Sequence, residues 1–118
     1  MEEKDLKEVL GRLFSVLDSK KGEDIRVIDI RGISVIADYF IVASAGNQNH
    51  LLALQDAVDE EMSKQHVFAR SIEGNRNSTW ILMDYEDIIV QLFTKEDRLF
   101  YDLERIWKDG TVMDPESL

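Results

Sequence analysis

Residues 38–64 decide the fold, and they read DYFIVASAGNQNHLLALQDAVDEEMSK. The run from Asp38 to Ser44 is rich in aromatic and β-branched side chains, which predicts a strand. Ala45-Gly46-Asn47 then breaks the strand, and apolar residues recur at helical spacing from about Gln48 to Lys64. A third strand predicted at 67–72 completes a strand–helix–strand unit, for which we expect a right-handed parallel crossover.

The flanking sequence adds elements on both sides of this unit. An amphipathic pattern predicts a helix over residues 3–19, and a β-branched run predicts a strand over 24–30. Strands predicted at 79–83 and 87–93 are separated by the polar turn Asp84-Tyr85-Glu86-Asp87, which indicates a hairpin.

The C-terminal part of the sequence predicts one more helix. Thr94, followed three residues later by Asp97, resembles a capping box at the start of a helix. The apolar stripe of that helix consists of Leu99, Phe100, Leu103, Ile106 and Trp107. The predicted class is therefore α+β, with a mixed five-stranded sheet and about three helices in one domain over residues 1–110, followed by a loose polar tail over 111–118.

The charge balance is strongly acidic. Twenty-four Asp and Glu residues against 14 Lys and Arg residues give a formal net charge of -10. Nucleic-acid binders usually gain affinity when their Lys and Arg side chains release counterions from phosphates, so we expect little direct nucleic-acid contact. A basic protein surface is a better electrostatic match. The alternative is that the charge only keeps the protein soluble.

Several functional classes are excluded or disfavoured by composition. The sequence has no cysteine, which excludes a disulfide framework, a cysteine nucleophile and thiolate metal sites. No apolar run reaches the roughly 18–20 residues that cross a bilayer. The acidic start, Met1-Glu2-Glu3-Lys4-Asp5, is unlike a secretory signal. We therefore expect a cytoplasmic protein with no membrane contact.

Candidate catalytic groups are few. His50 and His66 lie near opposite ends of one predicted helix, so they cannot share a metal from that helix. Asp38, Asp84 and Asp87 stand at strand ends, where carboxylates could bind Mg²⁺ for nucleotidyl or phosphoryl transfer. Because no glycine-rich phosphate loop accompanies them and Asp is common in turns, we favour a turn role. A small metal-dependent transferase is the alternative.

The strand predicted at 79–83 is apolar on both faces. Alternation places Ile81 and Met83 on one face and Trp80, Leu82 and Asp84 on the other. Either the helices cover both faces, so that Trp80 is a core residue, or part of one face is left for a partner. Tryptophan is enriched at the energetic centres of protein interfaces. In a strand, however, tryptophan is usually a core residue, so the pattern alone assigns Trp80 to the core.

Four sequence blocks carry a family signal. They are residues 38–46 with His50, Glu73-Gly74 followed by residues 80–85, residues 87–93, and Arg98-x-x-Tyr101-x-Leu103-Glu104-x-x-Trp107. In order and spacing, from about residue 4 to 110, they resemble the ribosomal silencing factors, the Iojap-like family. The sequence departs from that pattern at Glu86, where the family usually has glycine, and at Gln91, where it usually has histidine. Glu86 predicts that the hairpin turn does not need a positive φ.

The resemblance implies a translation repressor that acts without a cofactor or metal. Such proteins bind the large ribosomal subunit through ribosomal protein L-fourteen and block its joining with the small subunit. The resemblance also implies a fold related to a minimal nucleotidyltransferase without its catalytic machinery, and frequent homodimers. Together with the strand alternation, it predicts a partner-binding surface made of Trp80, Leu82, Asp84, Tyr85, Arg98 and Tyr101.

Overall fold

Two helices and six strands make up the part of the chain that a computed structural model describes, which is residues 3–32, 35, 37–74, 77–96, 110–114 and 118. In chain order they are α1 (Glu3–Ser19), β1 (Glu23–Asp29), β2 (Tyr39–Ala45), α2 (Gln48–Lys64), β3 (Ser71–Glu73), β4 (Trp80–Asp84), β5 (Ile88–Thr94) and β6 (Thr111–Val112). The helices α1 and α2 confirm the two predicted at 3–19 and 48–64. The last predicted helix, including Asp97 and its apolar stripe, lies outside the described residues.

The six strands form one mixed sheet in the order β3-β4-β5-β2-β1-β6. β2 and β5 pair in parallel, from Tyr39 opposite Ile88 to Ala45 opposite Thr94. The other neighbouring strands are antiparallel. Every residue of β2 and β5 is buried, as is usual for parallel strands in the middle of a sheet. The α+β class and the mixed sheet are confirmed.

The prediction of five strands is wrong, because Thr111–Val112 adds a sixth. These residues pair with Ile28 and Asp29, and the Met113 N–H donates to the Val27 carbonyl oxygen at 2.8 Å. The predicted loose tail therefore does not begin at residue 111. A two-residue strand shows no alternation in the sequence, and its pairing depends on β1 at the other end of the chain.

The strand that follows α2, which is β3, does not lie beside β2, where a simple strand–helix–strand crossover would place it. β5 is the parallel neighbour of β2, and β4 and β5 form the predicted antiparallel hairpin. β3 runs in the same direction as β2, because β4 is antiparallel to both β3 and β5, yet it lies at the edge of the sheet. Residue 67 is still tied to the end of α2, since its N–H donates to the Met62 carbonyl oxygen, so the predicted strand begins only at Ser71.

The helices cover one face of the sheet. The main core joins apolar residues of α1 and α2 to one face of the strands: Leu10, Leu13, Leu17, Leu51, Leu54, Val58, Met62, Tyr39, Ile41, Ile81, Met83 and Val90. A smaller cluster on the opposite face contains Ile28, Ile30, Ala37, Phe40 and Ile89. No helix among the described residues is long and apolar enough to span a membrane.

Candidate functional site

The predicted contact residues of β4 lie together on the sheet face opposite the two helices. Ile81 and Met83 are fully buried in the main core, whereas Trp80, Leu82 and Asp84 are half-buried. The alternation predicted for this strand is confirmed. We call the surface formed by Trp80, Leu82 and Asp84 the β4 face.

Trp80 is held in place by its partners on β5. Its ring lies 6.4 Å from that of Phe93, centroid to centroid, with the two planes tilted by 38°. The indole N–H donates to the Gln91 side-chain oxygen at 3.2 Å. Trp80 is therefore neither a fully buried core residue nor a loose surface side chain. An aromatic ring fixed in this way loses little conformational entropy when a partner covers it.

Leu82 forms the apolar centre of the β4 face. It packs against the smaller cluster that contains Phe40 and Ile89, and it stays partly exposed. In the register of the sheet it stands opposite Gln91 on β5 and opposite Glu73 on β3. Interface cores are enriched in aromatic residues and depleted of charged ones, so Trp80 and Leu82 suit the centre of an interface and Asp84 suits its polar rim.

Asp84 is already engaged within the protein. One carboxylate oxygen accepts from the Arg70 guanidinium at 3.0 Å, and the other accepts from the Glu86 N–H at 2.8 Å. The Asp84 side chain is 18% exposed and that of Arg70 is 58% exposed. The carboxylate raises the pKa of Arg70 above its usual value. A cation of a partner would have to share Asp84 with Arg70.

Tyr85 does not belong to the β4 face. It is only 4% exposed, it packs in the main core, and its hydroxyl donates to an Asp59 oxygen at 3.3 Å. Burial, and next the nearby negative charge of Asp59, raise the pKa of Tyr85 well above its usual value. The sequence-based prediction that Tyr85 contacts a partner does not fit this buried position. The same alternation that faces Trp80 outward directs residue 85, like Met83, toward the helices.

The remaining predicted contact residues, Arg98 and Tyr101, lie outside the described residues. The structure therefore brings together three of the six, which are Trp80, Leu82 and Asp84. Arg70 and Glu73 are two neighbours of this surface that sequence reasoning missed. Arg70 comes from a loop, where no periodic pattern indicates a direction, and Glu73 becomes a neighbour only through the pairing of β3 with β4.

The carboxylates considered for metal binding are arranged in two places. Asp38 and Asp87 stand side by side at the start of the parallel pair, because the Asp38 N–H donates to the Asp87 carbonyl oxygen at 2.9 Å. Asp84 is held by Arg70 and by its own turn. Across the part of the chain that the structure describes, no group of three or more His, Cys, Asp or Glu residues is placed to hold a metal ion.

His50 has a structural position that its sequence context did not reveal. Its Nδ1 accepts from the Gly46 N–H at 2.9 Å, so the proton of the neutral ring is on Nε2, which contacts the Lys20 carbonyl oxygen at 2.8 Å. The ring thus connects the end of α1 with the turn before α2. The Asn47 side chain caps the same helix by accepting from the His50 N–H at 2.8 Å.

Comparison with known proteins gives a consistent result. The family model described as "Ribosomal silencing factor during starvation" matches residues 3–118. The ribosomal silencing factor of Bacillus subtilis is 30% identical over 108 residues, which cover 92% of each chain. The mouse protein named "Mitochondrial assembly of ribosomal large subunit protein 1" is 31% identical over 103 residues, covering 83% of this chain and 44% of that one.

A solved structure agrees in fold as well. The crystal structure of a Chromobacterium violaceum protein superposes with a TM-score of 0.82 at 27% identity, covering 92% of this chain and 88% of that one. The family match extends over all six strands and both helices described above. This chain belongs to the ribosomal silencing factor family.

Proposed function

We propose that this protein is a translation repressor that binds the large ribosomal subunit and sterically blocks its joining with the small subunit. The observation that carries the proposal is the family match over residues 3–118. The name of the mouse relative, which refers to the large ribosomal subunit, supports the choice of subunit. In line with the resemblance seen in the sequence, we take ribosomal protein L-fourteen as the partner, and the cytoplasm as the place of action.

The β4 face is the docking surface in this proposal. Trp80 and Leu82 supply partly exposed apolar area on a strand whose other side is anchored in the main core. Interfaces concentrate their binding energy in a few such anchors, with polar residues around them. Arg98 and Tyr101 remain proposed neighbours of this surface. Tyr85 is left out of it because its side chain is buried.

The charge of the protein favours a basic protein partner over exposed RNA. The net charge is -10, and Glu73 and Glu86 are exposed beside the β4 face. These carboxylates repel phosphate and attract Lys and Arg side chains. The proposal therefore includes little direct contact with nucleic acid.

A bound protein of this size is enough to keep two subunits apart. The molecule extends over 34 × 32 × 26 Å, and its accessible surface is 6914 Å². A standard interface uses only about 800 Å² of each partner. Most of the surface would therefore project from the large subunit, and even the thinnest dimension separates two surfaces that must come into contact.

A sucrose-gradient experiment tests the proposal. Purified subunits are mixed under joining conditions with increasing amounts of protein, in the absence of nucleotide. We expect the joined-ribosome peak to decrease and the protein to sediment with the large subunit only. A joined-ribosome peak that stays unchanged when the protein saturates the large subunit would refute the steric mechanism. Failure to sediment with the large subunit would refute the proposal as a whole.

Matched variants test the surface separately. Leu82→Asp introduces a carboxylate on the β4 face, and Ala53→Asp introduces one on the exposed side of α2. We expect Leu82→Asp to lose binding and Ala53→Asp to retain it, with thermal melting as the control for folding. Because Leu82 is half-buried, Glu73→Lys, which changes an exposed residue opposite Leu82, provides a second variant. Normal binding by both Leu82→Asp and Glu73→Lys would place the surface elsewhere.

A further inference from the structure

The strand β3 forms the edge of the sheet that adjoins the β4 face, and β6 forms the opposite edge. The three residues of β3, Ser71, Ile72 and Glu73, are all exposed, and β4 is the neighbour of this strand on one side only. Ile72 is 40% exposed, and Phe68, in the loop before the strand, is 69% exposed. Short length, charged side chains and proline all limit pairing at an edge strand. β3 is short and carries Glu73, but it contains neither lysine nor proline.

The hydrogen-bond pattern shows which backbone groups of β3 face outward. Tyr85 N–H donates to the Ile88 carbonyl oxygen at 2.9 Å, and Thr94 N–H donates to the Thr79 carbonyl oxygen at 3.0 Å. The backbone groups of residues 79 and 85 therefore form hydrogen bonds with β5. Successive residues of a strand direct their backbone N–H and C=O groups to opposite sides, so the even-numbered Leu82 and Asp84 direct theirs toward β3.

The pairing of β3 with β4 then fixes the outer edge. Ser71 stands opposite Asp84 and Glu73 opposite Leu82, so these two residues use their backbone groups inside the sheet. Ile72 lies between them, and by alternation its N–H and C=O point away from β4. One residue with an outward donor, an outward acceptor and an exposed aliphatic side chain is therefore presented at the edge.

The loop before β3 holds this edge in place. The Arg70 N–H donates to the Asp84 carbonyl oxygen at 2.7 Å, and the Arg70 guanidinium bonds to the Asp84 carboxylate. Val67 and Ala69 pack against the main core on either side of the exposed Phe68. Because the segment is anchored before a partner arrives, little ordering entropy is lost on binding.

We infer that β3 accepts an extended segment of a basic ribosomal protein as a further strand, paired with Ile72. The inference rests on the proposed function, because it specifies how the partner binds. An extended peptide supplies the complementary C=O and N–H groups, which a nucleic-acid backbone does not, and its side chains reach Ile72 and Phe68.

Local charge decides between a basic protein and a second copy of this chain. Glu73 and Glu86 are exposed at this side of the sheet, and the whole chain carries a net charge of -10. Two copies that met edge to edge would bring like charges together. A segment that carries Lys or Arg beside an aliphatic residue would instead match both Glu73 and Ile72.

Ile72→Pro is the decisive variant. Proline removes the outward N–H of residue 72 and leaves the inward bonds of Ser71 and Glu73 intact, and an outward-facing edge position is where strands tolerate proline. Ile72→Val keeps the N–H and is the matched control. We expect Ile72→Pro to weaken binding of the full-length protein to the purified large subunit about tenfold or more, which corresponds to about 1.4 kcal/mol. Ile72→Val should bind within about twofold of the wild type.

Hydrogen exchange gives a second measurement that needs no variant. The Ile72 amide should exchange rapidly in the free protein and become protected, by about tenfold or more, in the complex with the large subunit. This readout keeps the inference testable if Ile72→Pro melts at a lower temperature than the wild type.

The possible outcomes separate the two proposals. If the wild type does not bind the large subunit, the proposed function fails. If the wild type binds, but Ile72→Pro binds equally well or the Ile72 amide stays unprotected, strand addition is refuted and the proposed function stands. If Ile72→Pro abolishes self-association of the free protein and leaves subunit binding unchanged, a second copy occupies β3 and the inference of a basic partner is wrong.

Discussion

Replacing Glu86 with glycine is expected to stabilise the protein. Glu86 lies in the turn between β4 and β5 and has a φ of 75°. The sequence suggested that a turn with glutamate at this position does not need a positive φ, yet Glu86 adopts one. The left-handed conformation costs an L-residue about 1–2 kcal/mol, because its Cβ approaches the following carbonyl oxygen. Glycine has no Cβ, so Glu86→Gly removes this cost.

The net effect is smaller than the strain that is removed. Glycine gives the unfolded chain more conformational freedom, which lowers stability by about 0.5–1 kcal/mol. The Asp84 carboxylate accepts from the backbone N–H of residue 86, and this hydrogen bond does not depend on the side chain. The difference between the two ranges is about 0–1.5 kcal/mol, with a midpoint of about 0.75 kcal/mol. At that midpoint the free energy of unfolding rises and Tm increases by about 3–5 °C for a chain of this size.

Chemical and thermal unfolding of three proteins measures this effect. Glu86→Ala is the matched control, because it removes the same charged group and keeps the Cβ that causes the strain. We expect Glu86→Gly to be more stable than both the wild type and Glu86→Ala. If glycine and alanine have equal effects, backbone strain at Glu86 does not contribute to stability and the reasoning is refuted.

Two further predictions concern charge and protonation. If acidic side chains steer binding, the association rate with the large subunit should fall clearly between low salt and about 0.5 M salt, and the dissociation rate should change less. Stopped-flow experiments measure both rates. An association rate that does not depend on salt would mean that the net charge serves solubility only. Tyr85→Phe should lower the free energy of unfolding by about 0.5–1.5 kcal/mol at neutral pH, because the hydrogen bond to Asp59 is lost. Since the pKa of Tyr85 is raised in the folded state from its ordinary value of 10.0, the unfolded chain releases this proton first, and wild-type stability should fall more steeply above pH 10.0 than that of Tyr85→Phe. Equal slopes in urea titrations across that range would contradict the assignment.

The sequence predicted the elements with strong periodic patterns well. Both described helices have long amphipathic patterns, and their bounds agree with the prediction. β5 was predicted from its apolar run, and its hairpin with β4 from the polar turn. β6 was missed because it pairs with β1, near the other end of the chain. The position of β3 was missed because β5, a distant segment, takes the parallel place beside β2. The relation to a nucleotidyltransferase fold stays a prediction.

The residues of the candidate site could be predicted only where the alternation of side chains along a strand determines which face they occupy. Trp80, Leu82 and Asp84 share one face because a strand has a period of two, and the structure confirms this arrangement. The degree of burial of Trp80 was not predictable, since it depends on Phe93 and Gln91 across the strand pair. The engagement of Asp84 by Arg70 likewise depends on a loop whose position only the folded sheet determines.

The net charge, which is the most visible property of the sequence, acts on binding mainly through the few carboxylates near the contact surface. Asp56 and Glu60 are exposed on α2, which covers the sheet face opposite Trp80 and Leu82. The molecule is at least 26 Å across, whereas the Debye length at physiological salt is about 8 Å. Charges on the helix side are therefore largely screened from a partner at the β4 face. The field that a basic partner meets there comes from nearby residues such as Glu86, in the turn after β4, and Glu73, which lies in the same edge strand as Ile72.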